Sequence, residues 1–260
     1  MILVDFRNWK FDKSFGYLSN TQNKLLEREF DTLKKLGCFM ILELFVAQRN
    51  RIAISDIFFE NKKAIAVSSV NNLSDFFESI DKVLDLKNKE VIDYTEAAEE
   101  EVYFYGSSSL VVHKKSEIAL CGVNTYSDES LFDEYCEDFE FTPFSFELPE
   151  GMFTRDMAFF VKDILLICLD YITDKKKKKQ LLSFLKSREI TVISFTKEQV
   201  EKGAFNLISF EGGLMMTKEV CGIFTEKQKE ALQGVNVKII ELPFLDKAGV
   251  LLRNIIFSEV

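Results

Sequence analysis

A single histidine, His113, stands in 260 residues. A nucleophile–His–acid triad would have to be built on that one imidazole, and clusters of several His and Cys around zinc are out of reach. His113 sits beside Lys114 and Lys115 in a stretch that reads as a hairpin turn, so it is expected at the solvent and away from catalysis. Cysteine is sparse too. Cys38, Cys121, Cys136, Cys168 and Cys221 are odd in number, widely spaced and free of any CxxC pair. That argues against a metal site and against a disulfide framework. Their apolar neighbours, as in "EIALCGV" and "ILLICLDY", suit buried free thiols in a reducing compartment. Only three prolines occur (Pro143, Pro149, Pro243), and no Gly/Ser tract marks a linker. One domain over 1–260 is the expectation. No run of 18 uncharged apolar residues is present, and the N-terminal stretch is not a basic leader followed by an apolar core. Secretion and membrane spanning are therefore not expected, and the cytoplasm is. The phosphate-cradling GxxxxGK[ST] and GxGxxG and the nucleophile elbow GxSxG are all missing, so no cofactor is expected.

What the chain does have is acid, phenylalanine and repetition. The formal net charge is −9. A broadly acidic surface repels phosphate backbones, which disfavours duplex DNA as a partner. The local exception is the run Lys175, Lys176, Lys177, Lys178 and Lys179. It reads either as a solvated helix start or as a docking patch for RNA or an acidic protein. The 26 phenylalanines alternate with aliphatic rather than basic residues. They read as core rather than as stacking platforms for bases.

The repeat sets the fold class. In 151–196, "MFTRDMAFFVKDILLICLDY" reads as two strands around Lys162-Asp163. "KKKKKQLLSFLKSRE" follows as a helix with Leu181, Leu182 and Leu185 inward, and "ITVISF" closes as a strand. The order strand, strand, helix, strand returns in 51–95, where Phe76, Phe77, Ile80, Val83 and Leu84 form the helix stripe, and again in 100–148 and 203–243. A fifth unit is split between the ends. "AGVLLRNIIFSEV" (246–260 region) supplies one strand, and residues 1–50 supply a helix and the strand "CFMILELF". Nearly continuous apolar strands need cover on both faces or burial about a common axis. The expectation is an α/β protein of five ββαβ units, a five-fold pseudosymmetric α/β propeller closed by pairing of the N- and C-terminal segments. Such closure leaves no free sheet edge.

"YGSSSLVVHKKSEIALCGVNTYSD" (105–128), "FTRDMAFFVKDILLICLDY" (153–171), "AFNLISFEGGLMM" (204–216) and "AGVLLRNIIFSEV" (248–260) carry a resemblance to the pentein superfamily. The chain looks most like the dimethylarginine dimethylaminohydrolase and amidinotransferase branch. That resemblance implies a Cys thiolate attacking a guanidinium carbon, a His as acid and base, and carboxylates that hold the cationic substrate. By the same resemblance the nucleophile falls on Leu252 or Arg253, the histidine on Thr154, and a Gly-Gly-Asp on Ser107, Ser108 and Ser109. Tyr126 stands for an arginine, and Asp56, Asp156 and Asn206 look retained. No catalytic residue is assigned. Asp56, Ser108, Thr154, Asp156, Asn206 and Arg253 are expected to line a remnant pocket, with Arg253 pairing Asp156 or facing an anion. The implied function is a catalytically inactive protein docking on a larger protein or ribonucleoprotein assembly such as the ribosome, as an initiation-factor member of that superfamily does. The alternatives are a small-molecule sensor using the pocket or a rewired hydrolase of guanidino or amidino compounds.

Overall fold

The computed structural model describes residues 1–4, 19–36, 40–42, 54–71 and 77–257. Cys38, Phe76 and the larger part of 1–18 and 43–53 lie outside that set, as do 258–260. The first elements are β1 (Ile2–Val4), α1 (Asn20–Lys35) and β2 (Met40–Leu42), with β2 parallel to β1. A four-residue helical turn, α2 (Ile54–Ile57), then leads into the hairpin β3 (Phe58–Glu60) and β4 (Ala64–Val67). Helix α3 (Phe77–Lys87) returns the chain to β5 (Glu90–Asp93), parallel to β4.

The same order recurs in α4 (Gly106–Ser109), β6 (Leu110–His113), β7 (Ile118–Val123), α5 (Glu129–Asp138) and β8 (Thr142–Glu147). It recurs again in α6 (Thr154–Met157), β9 (Ala158–Val161), β10 (Ile164–Ile167), α7 (Lys175–Lys186) and β11 (Thr191–Ser194). After α8 (Lys197–Glu201) a non-helical turn takes the place of the helical one. It is followed by β12 (Leu207–Phe210), β13 (Gly213–Thr217), α9 (Lys218–Ile223), α10 (Glu226–Ala231) and β14 (Val237–Ile240). The last elements are α11 (Pro243–Lys247), α12 (Leu252–Ile255) and β15 (Ile256–Phe257). The result among the described residues is five three-stranded sheets, each an antiparallel pair extended by one parallel strand. The first sheet joins the two ends of the chain: β15 runs antiparallel to β1, with Ile2 opposite Phe257 and Leu3 opposite Ile256.

Local chemistry explains the punctuation. Ser19 and Gln22 form a capping box at α1, Thr196 with Gln199 does so at α8, and Thr225 with Gln228 at α10. Asp174 accepts the N–H groups of Lys176 and Lys177 and so starts α7. Five cations in the first turns oppose the helix dipole, and the Asp174 carboxylate offsets that. Buried Glu29 of α1 accepts the N–H groups of Phe244 (2.7 Å) and Leu245 (3.1 Å), which pins α11 to α1. Strands β4, β6, β9 and β13 are buried along their whole length, so they are covered on both faces.

Three expectations need correction. Leu182 is 37% exposed, because Leu181 and Leu185 alone form the inward i, i+4 stripe of α7. Phe77 is 57% exposed, because it opens α3 one turn ahead of the buried pair Ile80 and Val83. His113 is not at the solvent. It is the last paired residue of β6, opposite Ile118, and 5% exposed. The actual turn, 114–116, lies beyond it, and the neighbouring β9–β10 hairpin covers it with the Phe160 ring and with Asp163, 3.3 Å from Nε2. No described helix is long and apolar enough to cross a membrane.

Candidate functional site

Each β-hairpin is entered from a tight turn, and these turns meet. The turn α2 packs on α4 and on α12, and α4 packs on α6. The contacts are specific. Ser108 Oγ donates to Asp56 Oδ1 at 2.5 Å, and Ser107 Oγ donates to the Phe58 carbonyl at 2.9 Å. Thr154 Oγ1 accepts the Gly122 N–H at 2.8 Å and donates to the Ser109 carbonyl. Asn206 Oδ1 accepts the Leu252 N–H at 2.6 Å, tying the turn before β12 to α12. Arg155 donates to the Leu207 carbonyl at 3.3 Å.

Beside these contacts lies a cleft of about 300 Å3. Its polar lining comes from Asp156 of α6, Tyr171 after β10, Glu201 of α8, Asn206 and Arg253 of α12. Arg253 Nη2 donates to Asp156 Oδ1, while Asp156 Oδ2 accepts the Phe153 N–H at 2.8 Å. Both carboxylate oxygens are thereby engaged, Oδ1 by Arg253 and Oδ2 by the Phe153 N–H. Arg155 lies close by. Burial, first, and the charge of Arg253, second, push its guanidinium down to about 10, against the pull of Asp56 and Asp156. Burial and the charge of Glu201 raise the Tyr171 phenol, which keeps it protonated as a hydrogen-bond donor.

Of the six expected pocket residues, Asp156, Asn206 and Arg253 do line the cleft. Asp56, Ser108 and Thr154 do not. They are 7%, 0% and 0% exposed and are used up in the contacts between turns. Sequence reasoning missed Arg155, Tyr171 and Glu201. The first two stand inside the quoted stretch 153–171, and the Thr196–Gln199 capping box could have placed Glu201 on a helix. Among the described residues no cysteine lines the cleft. The thiols of Cys121, Cys136 and Cys168 are all pushed up by burial, Cys136 to about 12, which suppresses the thiolate. Among the described residues no group of three or more His, Cys, Asp or Glu could hold a metal ion.

The lysine run lies elsewhere, at the start of α7. Lys177 reaches the Ser145 carbonyl and lies over the Phe144 ring, and Lys178 faces Asp170 at 4.0 Å. Lys175, Lys176 and Lys179 border an open groove with Phe144 and Phe184.

The family model of eukaryotic N,N dimethylarginine dimethylhydrolase matches residues 42–246. No curated protein matches the chain in sequence. Solved structures match in fold. The product-bound N-terminal domain of ArgZ, an arginine dihydrolase from the ornithine–ammonia cycle in cyanobacteria, superposes with a TM-score of 0.71 at 11% identity over 92% of this chain and 86% of that one. The enzyme DDAH from Pseudomonas aeruginosa, complexed with citrulline, gives 0.63 at 10% identity over 95% of this chain and 89% of that one. A longer ArgZ chain in its apo form gives 0.68 at 11% identity, and this chain spans 37% of its length. The expectation of a protein without catalysis is corrected by these findings. The matched family is a family of hydrolases, and the structural neighbours are enzymes on guanidino compounds. The fold is an α/β fold similar to that of the penteins, and the chain belongs to the N,N dimethylarginine dimethylhydrolase family.

Proposed function

We propose that the cleft binds a guanidino or amidino compound and that the chain hydrolyses it by a route not built on a thiolate from the final strand. The observation that carries this reading is Asp156, a carboxylate held by the Phe153 N–H that lines a cleft Glu201 also borders and that already accepts a guanidinium, that of Arg253, in a chain of a guanidino-hydrolase family. A guanidinium offers a planar fork of N–H donors that a fixed carboxylate accepts in pairs. Asp156 holds the ligand. Glu201 takes one proton from a water as its oxygen bonds to the guanidinium carbon and returns that proton to the leaving nitrogen as the C–N bond breaks; the second water proton passes to the released amine as the C=O forms, so that it leaves as an ammonium. The products are a ureide and an amine or ammonia. A sensor reading uses the same cleft without turnover, and the three described cysteines whose thiols burial pushes up, Cys121, Cys136 and Cys168, favour it as the second reading.

The proposal takes the five sheets as blades about one axis in a single domain, with the tight turns at its inner end. The packing of α2 on α4 and α12, and of α4 on α6, supports this.

The experiment is calorimetric binding of L-arginine and methylated arginines, together with an assay for ureido product. Asp156→Asn is expected to abolish binding, and Glu201→Gln to lower turnover while binding persists. Binding without ureido product in the wild type selects the sensor reading. No binding of any guanidino compound refutes both.

A further inference from the structure

Arg253 lines an open cleft and yet is only 8% exposed. Its guanidinium lies on Asp156 Oδ1, the acceptor on which the proposed function relies. The chain thus already holds a guanidinium where a ligand's would go. The segment that carries it is anchored independently of the ion pair: Leu252 N–H is held by Asn206, and Asn254 N–H by the Leu251 carbonyl. The arginine side chain can therefore leave Asp156 while its backbone stays in place. A second guanidinium, Arg155, stands near enough to act on Arg253 electrostatically, with Asp56 and Asp156 as the opposing charges. Freeing Arg253 without a new anion would leave two cations sharing a partly desolvated place.

Resting on the guanidino reading of the cleft, we infer that Arg253 sets the ligand specificity by ion-pair exchange. The ligand's guanidinium displaces Arg253 from Asp156, and the ligand's own carboxylate receives the displaced Arg253. One ion pair becomes two, and Arg253, Asp156 and the ligand's guanidinium and carboxylate all keep a partner. A guanidino acid satisfies both halves of the exchange. A guanidino amine satisfies one half and strands Arg253 beside Arg155, so the cleft selects guanidino carboxylic acids over guanidino compounds that lack the acid group.

The test compares the Kd of L-arginine with that of agmatine, its decarboxylated counterpart, on the wild type and two variants. The wild type is expected to bind L-arginine at least about tenfold more tightly, the scale of one charge-assisted hydrogen bond. Arg253→Met should bind agmatine more tightly than the wild type does and should lose the preference for L-arginine. Arg253→Lys keeps the cation and should keep the preference. The wild-type ratio and Arg253→Lys carry the test if Arg253→Met does not fold. Equal wild-type affinities, or a preference that survives Arg253→Met, overturns the exchange and leaves the guanidino site standing. Failure of both ligands on every protein overturns the exchange and the guanidino site together.

Discussion

Burial governs His113 more than its neighbours do. The imidazole sits between the Phe160 ring and Asp163, with Lys115 also bonded to Asp163. Desolvation, the larger effect, lowers its pKa below the ordinary value, and the Asp163 charge opposes that. The folded chain therefore takes up this proton at lower pH than the unfolded chain. The contribution to stability is full above about pH 6.5 and is lost as the pH falls from there through the folded pKa. The melting temperature is expected to drop between pH 7 and pH 5.5 in the wild type. The drop should be shallower in His113→Phe, which keeps a ring on Phe160. As the chain's one histidine, His113 also gives a single imidazole resonance. Its NMR titration should show a midpoint below that of a free imidazole. A midpoint above 6.5 would mean that Asp163 outweighs burial.

At the level of elements, the short turns ahead of the hairpins matter more than the long helices, because they carry the contacts around the cleft. Gly106 shows how tight they are. Its φ is +41°, and a Cβ there would lie 2.8 Å from the Phe58 carbonyl oxygen and 2.9 Å from that of Ser55. Gly106→Ala is expected to destabilise the fold by about 2 kcal/mol or more in urea unfolding, by combining the left-handed backbone penalty with a backbone clash. Gly151→Ala is the control: φ is +75° but nothing lies within 4 Å of the added carbon, so only the backbone penalty remains. Equal losses in the two variants would show that the approach of α4 to α2 has slack.

These turns were also what the sequence hid. The hairpins, the amphipathic helices and the closing strands were legible because apolar periodicity and capping residues mark them directly, as at Thr225. A four-residue turn has no periodicity to read. The cleft was legible by half. Asp156, Asn206 and Arg253 follow from the position of their stretches, whereas Asp56, Ser108 and Thr154 fill the joints between turns. Glu201 comes from α8, one of the short helical segments between a closing strand and the next unit, which the strand–strand–helix–strand pattern does not include.

For the molecule as a whole, the pairing of β1 with β15 has the largest consequence. Ile2 lies opposite Phe257, and antiparallel neighbours stand about 5 Å apart. Phe257 also packs on Phe58 of β3, ring centroids 5.9 Å apart, so the sheet that joins the two ends is tied into the next unit. If the five units form one cooperative body, the order in which the chain visits them has little structural meaning, and opening it elsewhere should be tolerated. A circular permutant tests this: residues 260 and 1 are joined through a short Gly/Ser linker, and the chain is opened before Glu101. That residue is exposed, lies between two units and is away from the cleft. Termini placed at exposed connections with few crossing contacts are the kind that folds tolerate. The permutant is expected to unfold in a single transition close to that of the wild type and to bind L-arginine with the same affinity. Two separated transitions would instead show that the terminal sheet and α1 melt apart from the rest. Cooperation among the units would then stop at the β1–β15 seam.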